Sequence, residues 1–496
     1  MAPAWRGSLA ALLSAAVIGV YAHFGVAASD GAAPPAPSSL PSDAEYLDAA
    51  DTLDIAGLQD RFESIAQHAA GAVVAVSATV SGGDASDDAQ PSDDMNPEKL
   101  QEILDRNTRT VGAGFIIDPD GYILTNQHVI ESAQDIWVTT EQRKVLPAVV
   151  VGSDPRADLA VLKIPATKLP TVQLQVDQTF ERGQWTIALG NPYGLSTDGQ
   201  LCMSVGVISA TDRALPRLSI KEDRLYSHLI QTTAQINPGN SGGPLLDIRG
   251  RVIGINTAVI LPQKQTNGIG FAIPITSRLM AEVHDLEQGR EIVYGYLGIS
   301  VAEPAPNERE SAGAPPDIGV RVESIEPDSP AALCGLELGD LITSIGGTDI
   351  EDSDQFIRLV GDASVGQPVK LALFRQGKSM TLMAIPKRRP MEETAVTHDS
   401  QRLRWRGMLL GPIPADWQSE PDKPRSGLLV VGIDDASPMK KQGISRGSVI
   451  TSIAGHTVES VIDLLSLINQ TPPEDCTVEV APSLNSPTTR PVSQVN

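Results

Sequence analysis

The sequence predicts a mostly β, multidomain protein, with one large region of many short strands followed by two copies of a smaller domain. Three observations carry this. The chain has 496 residues, too many for one domain when domains run to about 100–200 residues. From about residue 56 to 280, β-branched runs (VVAVSATV, VGAGFIID, YILTNQHVI, LAVLKI, VGVISA, RVIGINTAVI) alternate with the turn signals DPDG, GNPYG, NPGN and DIRG. That rhythm reads as an all-β sandwich or barrel. Beyond it the chain repeats itself. The segments starting at Gly319 and Gly427 align without a gap at an offset of 108, matching Ser329-Pro330 to Ser437-Pro438, Gly335 to Gly443, Gly339 to Gly447 and Ile342–Ile345 to Ile450–Ile453. Two copies make an array, since a solenoid needs at least three stacked units.

Taken in order, the elements begin with an address. Arg6 precedes the apolar run Leu9–Ala22, and the small residues Val26-Ala27-Ala28 follow. Residues 1–28 therefore read as a cleaved signal peptide or an uncleaved N-terminal membrane anchor, and both place the folded part outside the cytoplasm. Residues 29–55 are rich in Ala, Pro and Ser, as linkers are. The strand-rich region is expected to span 56–288. It is interrupted by an acidic, polar insert at 81–109 that reads as a solvated surface loop, and it closes on a helix at Thr276–Gly289 with a Ser/Thr start and a Gly stop. The repeats are expected at 291–388 and 402–490, joined by the charged break KRRPMEETAVTHDSQ.

Composition narrows the function. Thirty-eight basic against 61 acidic residues leave a net charge of −23, which argues against nucleic acid and against a polybasic membrane surface. Cys202, Cys334 and Cys476 have neither framework nor zinc spacing, so no disulfide scaffold and no metal is expected. No P-loop is present, and no cofactor is expected.

The sharpest local signal is Gly239-Asn240-Ser241-Gly242-Gly243-Pro244. It satisfies G-x-S-x-G, but the strand-like PLLDIRGRVIGINT follows where a nucleophile elbow needs a helix, and the later His284, His398 and His456 are poor partners. The order His, Asp, Ser fits instead. His128 sits where a β-rich run gives way to a turn, and Asp158 opens the buried strand of ADLAVLKI, where a buried carboxylate needs a partner. Asp135, Asp154, Asp177, Asp198, Asp212 and Asp223 stand in more polar surroundings and read as solvated, and His228 reads as structural. In the mechanism these residues support, Ser241 attacks a carbonyl, His128 moves the proton and Asp158 holds the imidazole. The turn of Gly239, Asn240 and Ser241 is expected to form the oxyanion hole, with the N–H groups of Gly239 and Ser241 turned inward.

With these motifs in hand, the chain resembles the HtrA/Deg family of extracytoplasmic serine proteases from about residue 56 to 490, on TNQHVI, ADLAVLKI, GNPYGL, GVISA, INPGNSGGPL, IGINTA and GIGFAIP. The resemblance implies a trypsin-like double β-barrel followed by two PDZ domains, often in trimers that assemble further. It implies a periplasmic, ATP-independent endopeptidase acting on unfolded or damaged proteins; the alternative is a chaperone or peptide-binding scaffold with secondary or silent proteolysis. Residues 81–109 and 190–200 would take the places of a regulatory loop and the activation loop. Two positions depart from the family pattern: Ala113 between Gly112 and Gly114, and Thr233 where Asp is common. In such barrels the S1 base lies six residues before the nucleophile, at Gln235, with Ile255, Asn256 and Thr257 expected along the pocket. An uncharged base predicts cleavage after aliphatic residues. In the first repeat Tyr296-Leu297-Gly298-Ile299 matches the carboxylate-binding loop, so Leu297, Gly298 and Ile299 are expected to hold peptide C-termini and regulate the protease. Arg406-Gly407-Met408-Leu409 stands in that place in the second repeat.

Overall fold

The strand-forming runs of the first region close on themselves, leaving no sheet edge for another chain to extend. In the computed structural model, which describes residues 55–80, 108–190, 202–215, 224–226, 228–237, 239–257, 269–315, 318–390, 396–397, 401–419, 423–468 and 477–481, twelve of them make two barrels. β1 (Val73–Val80), β2 (Thr108–Asp118), β3 (Tyr122–Thr125), β4 (Ala133–Thr139), β5 (Val145–Asp154) and β6 (Leu159–Lys163) close in the order β1-β2-β3-β6-β5-β4. β7 (Trp185–Gly190), β8 (Cys202–Arg213), β9 (Leu229–Thr232), β10 (Pro244–Asp247), β11 (Val252–Thr257) and β12 (Gly270–Pro274) close in the order β10-β11-β12-β9-β8-β7.

Strand alternation explains why some of these runs are apolar on both faces. In β6, Ala160 and Leu162 fill the first barrel with Val74, Val76, Ile116 and Val138, while Leu159 and Val161 face outward. Those outward residues meet Ile187, Leu189, Leu246 and Ile255 of the second barrel, whose own interior is Ala188, Leu245, Ile253 and Ala272. The seam between the barrels is thus one continuous core. The helix α1 (Ile55–Ala70) adds Phe62, Ile65 and Ala69 to it, with Phe62 edge-on to Trp185 at 5.5 Å. A short helix, α2 (Gln127–Ile130), follows β3 directly.

The helix expected at the end of the region is α3 (Ser277–Glu287), whose first turn is capped by the Thr276 hydroxyl accepting from the Leu279 N–H at 3.1 Å. It sits tightly on β5, where a Cβ at Gly152 would lie 2.5 Å from the Leu286 carbonyl oxygen. Its Leu279, Val283 and Leu286 enter the seam core.

The first repeat has β13 (Gly295–Tyr296) paired with β20 (Lys387–Arg388), beside a sheet of β14 (Ile299–Ala302), β15 (Val320–Ile325), β16 (Leu341–Ile345), β17 (Thr348–Asp349), β18 (Val369–Arg375) and β19 (Lys378–Ala384). Its helices are α4 (Pro306–Ala312), α5 (Pro330–Cys334) and α6 (Ser353–Asp362). The second repeat has β21 (Leu403–Trp405), β22 (Met408–Pro412), β23 (Leu428–Ile433), β24 (Val449–Ile453), β25 (His456–Thr457) and β26 (Val478–Val480), with α7 (Pro438–Lys441) and α8 (Val461–Ile468).

Of the aspartates read as solvated, Asp154 is buried and Asp135 partly buried. Asp154 accepts the Tyr294 hydroxyl at 2.6 Å at the root of the first repeat, and Arg156 lies over the same ring at 5.2 Å. Burial pushes the Asp154 carboxyl up despite the Tyr294 hydrogen bond. Asp135 is shut in beside Arg404 of the second repeat, and burial again pushes it up against the pull of that guanidinium. Residues distant in sequence, Tyr294 and Arg404, cover them, which no local pattern shows. The expected leader, the 29–55 linker except its last residue, most of the 81–109 insert and the loop 191–201 lie outside the described residues.

The contact of α3 with β5 predicts the effect of one methyl group. Gly152→Ala should lower the unfolding free energy by about 1–3 kcal/mol, the usual range for overpacking, read as a lower denaturant midpoint at unchanged slope.

Candidate active site

The site is assembled at the seam. β3 ends at Thr125, and the turn into α2 presents His128 toward the loop before β6. There Asp158 adopts a left-handed φ of 56°, a conformation aspartate tolerates better than most residues. Its backbone is fixed by the Asn126 Nδ2, which donates to its carbonyl at 3.0 Å. Its carboxylate receives the His128 N–H at 3.0 Å on Oδ1 and faces the His128 Nδ1 at 2.8 Å on Oδ2. Tyr226 OH donates to Oδ2 at 3.1 Å and Thr257 Oγ1 at 3.4 Å, both from the second-barrel side.

Asp158 is fully buried. Burial raises a carboxyl, but here the His128 charge and hydrogen bonds, followed by the Arg224 guanidinium, outweigh it and hold Asp158 below its ordinary value. Arg224 Nε lies 3.9 Å from Oδ1, and its Nη2 donates to Gln127 Oε1 at 3.1 Å and Glu131 Oε2 at 2.9 Å. Arg224 and Tyr226 were not anticipated from sequence. Their stretch, KEDRLYSHL, carries no periodicity and no motif, and only barrel packing brings it to the aspartate.

Ser241 lies in a turn sewn to both barrels. Its carbonyl accepts the Ala113 N–H of β2 at 2.8 Å; Gly242 N–H donates to Asn256 O at 2.9 Å, and Asn256 N–H returns to Gly243 O at 2.8 Å. Gly242 has φ 84°, and a Cβ there would overlap Thr125 Oγ1 and the Ala113 carbonyl. The same closeness accounts for Gly112, where a Cβ would stand 2.6 Å from the Val129 methyls and 3.0 Å from Ser241 O. Ala113 between the two glycines disturbs nothing, because the turn uses its backbone. Thr233, the other departure, accepts the Val207 N–H on its hydroxyl at 2.9 Å and returns its own N–H to Val207 O at 2.9 Å.

Several expected contacts fall elsewhere. The Asn240 N–H donates to Asn237 O at 2.9 Å, so it is committed to the turn and leaves Gly239 (φ 101°) and Ser241 as the oxyanion donors to weigh. Ile255 is fully buried in the seam core. Thr257 turns its hydroxyl onto Asp158, and Asn256 clamps Pro244 O at 3.0 Å and Leu189 O at 3.3 Å. None of these three lines an open pocket. Strand alternation puts Ile255 and Thr257 on one face, and that face meets the seam. Gln235 is exposed, and its carbonyl accepts from Ser204 Oγ at 2.8 Å. In the first repeat Leu297 is buried in the core, so its backbone alone can serve a ligand. Gly298 has φ 75° and Ile299 opens β14.

A buried carboxylate gripping the Nδ1 of a histidine, beside a serine in a glycine turn, can run acyl transfer through the serine oxygen. The chain matches the model of the trypsin-like peptidase domain over residues 112–255 and that of the PDZ domain over 295–384. It is 33% identical over 363 residues, 73% of this chain and 75% of the relative, to a protein of Marinomonas sp. (strain MWYL1) named a probable periplasmic serine endoprotease, DegP-like. A protein of Halomonas elongata with the same name is 34% identical, with 75% of this chain and 76% of that one covered. The chain belongs to the HtrA/DegP-like family of serine endoproteases. Among solved structures, the HtrA-type protease AlgW with a tripeptide is 32% identical at a TM-score of 0.56, covering 66% of this chain and 98% of that one. The family's double barrel and PDZ domain are therefore the fold of this chain, and it is a serine endopeptidase.

The environment of Asp158 makes a pH prediction. A carboxyl held low contributes its stabilising contacts above the ordinary carboxylate range and loses them as pH falls through its folded value. Arg224→Gln removes one of the groups that hold it low, so the midpoint of acid unfolding should move to higher pH. A rise of about one unit in the folded carboxyl costs about 1.4 kcal/mol of stability above the ordinary carboxylate range. Tyr226→Phe should move the midpoint the same way by less. A loss of stability equal at every pH would assign both residues to packing alone.

Proposed function

We propose that Ser241, His128 and Asp158 are the catalytic triad of this endopeptidase. The observation that carries the reading is the 2.8 Å contact of the fully buried Asp158 with the part-exposed His128, with the Ser241 turn tied through Ala113 to the barrel that holds that pair. Ser241 Oγ adds to the peptide carbonyl while His128 Nε2 takes its proton and passes it to the departing amine. Water then attacks the acyl-enzyme, His128 takes its proton, and the serine leaves with that proton restored. The N–H groups of Gly239 and Ser241 stabilise the oxyanion, a donor typically worth about 10²–10³ in kcat.

The domain limits proposed are 56–288 for the protease, 291–388 and 402–490 for the PDZ repeats, with 1–28 as signal peptide or anchor. The substrates proposed are unfolded extracytoplasmic proteins, since the sequence carries no ATP-binding motif to power unfolding. The periplasm is the proposed compartment, on the apolar leader and on the names of the relatives. A homotrimer or larger assembly is proposed on the family resemblance. The first repeat is proposed to bind apolar peptide C-termini through the backbone of Leu297-Gly298-Ile299, and through them to regulate the site.

Digestion of unfolded casein tests the triad. Ser241→Ala and His128→Ala should each lose about 10⁶ in kcat and Asp158→Ala about 10⁴, the pattern of residues that act as a unit, while Ser241→Ala still binds casein. Comparable digestion by Ser241→Ala would end the assignment. Gln235 at the S1 base carries no charge to meet a basic side chain. Mass-spectrometric mapping should therefore place most cuts after small or medium aliphatic residues, and a majority after Lys or Arg would reject Gln235 in that role.

A further inference from the structure

The two repeats share one local geometry at the strand that would receive a peptide and differ in what lies on its outer side. In the first, Gly298 (φ 75°) leads into β14, and its carbonyl accepts the Glu326 N–H at 2.9 Å; in the second, Gly407 (φ 72°) leads into β22, and its carbonyl accepts the Asp434 N–H at 2.8 Å. Ile299 pairs with Ile325 and Met408 with Ile433, and both ladders carry a register shift two residues later. Gly407 is thus the counterpart of Gly298 and Met408 that of Ile299. This corrects the sequence alignment of the two loops by one residue.

Among the described residues β14 is an edge strand, in the order β14-β15-β16-β18-β19, and a peptide can add to its outer side. β22 is not. Its outer side is paired with β21 in the register Leu403↔Leu410, Arg404↔Leu409 and Trp405↔Met408. The link is a two-residue turn, Arg406-Gly407, with both residues at positive φ (49° and 72°), as tight hairpins require. The loop that could capture a carboxylate is used up as a hairpin turn. Leu403 and Trp405, each 5% exposed, lie in the core of the second repeat.

The same segment is moored to the first barrel. Ser153 N–H donates to Val396 O at 3.0 Å, Gln401 Nε2 to Val151 O at 2.8 Å, and Arg404 bridges Asp434 at 2.9 Å and Asp135 of β4 at 3.7 Å. Val149 of β5 packs into the core of the second repeat.

We infer that β21 is a built-in occupant of the second repeat's peptide edge, so that this repeat takes no peptide end and instead fastens itself to the protease barrel. The inference borrows from the proposed function only the reading that the first repeat's edge is the peptide site.

The test uses the full chain with Ser241→Ala and an unstructured decapeptide ending in a free apolar residue. Calorimetry should give one peptide per protomer, and Gly298→Val, whose side chain would press on Ser329, should abolish the heat. Hydrogen exchange provides a readout that does not depend on that variant. Amides of 408–411 should be protected without peptide and unchanged by it, whereas those of 299–302 should gain protection on binding. Two peptides per protomer, or 408–411 amides that exchange freely and slow only with peptide, would overturn the inference. If no peptide binds while 408–411 stay protected, the reading of the first repeat fails and the closed edge of the second stands.

Discussion

The carboxylate of Asp158 is the constraint around which the rest is arranged. A fully buried negative charge is tolerated only when its lone pairs are met and an opposite charge is near. Here four residues meet it: His128 with its backbone N–H and ring, Tyr226 with its phenol, Thr257 with its hydroxyl and, slightly farther, Arg224 with its guanidinium. His128 comes from the first barrel, and the other three come from the second. Satisfying one ion therefore fixes how the barrels sit together, and the apolar seam of Leu159, Val161, Ile187, Leu246 and Ile255 keeps water from competing for it.

The serine turn follows the same logic from the other side. It is short of side chains and rich in backbone bonds, so its shape depends on glycines that let neighbours approach. Gly112, Gly190, Gly242 and Gly243 each stand where a Cβ would collide with the turn or its supports. The main chain of β2 and β11 thereby positions Ser241.

Much of this was legible in the sequence because chemistry and punctuation coincide there. His128, Asp158 and Ser241 stand in separate runs that each carry turn or strand signals, and the duplicated Gly and Pro positions exposed the repeats. What escaped has a common cause. Arg224 and Tyr226 acquire meaning only when a polar stretch of the second barrel folds over an aspartate of the first. Ile255 and Thr257 were assigned to a pocket although alternation in VIGINT turns both toward the seam. Asp135 and Asp154 looked solvated because the residues that cover them, Arg404 and Tyr294, lie far along the chain. The closed edge of the second repeat depends on which strand neighbours which, a property of pairing that no local pattern encodes.

The stitching of the Ser241 turn to Ala113 also bears on what fragments of this protein could do. A first barrel made alone would keep His128 and Asp158 but would lose the Tyr226 and Thr257 hydroxyls and leave the carboxylate open to solvent. A second barrel made alone would keep Ser241 without the N–H that anchors its carbonyl. Neither half holds the proposed nucleophile and base together, so on that reading a nick between them is harmless while the seam holds and silencing once it parts. The loop from Ile164 to Gln184 that crosses between the barrels is therefore the place to divide the gene for a two-piece reporter, in which hydrolysis reads out reassembly of the seam.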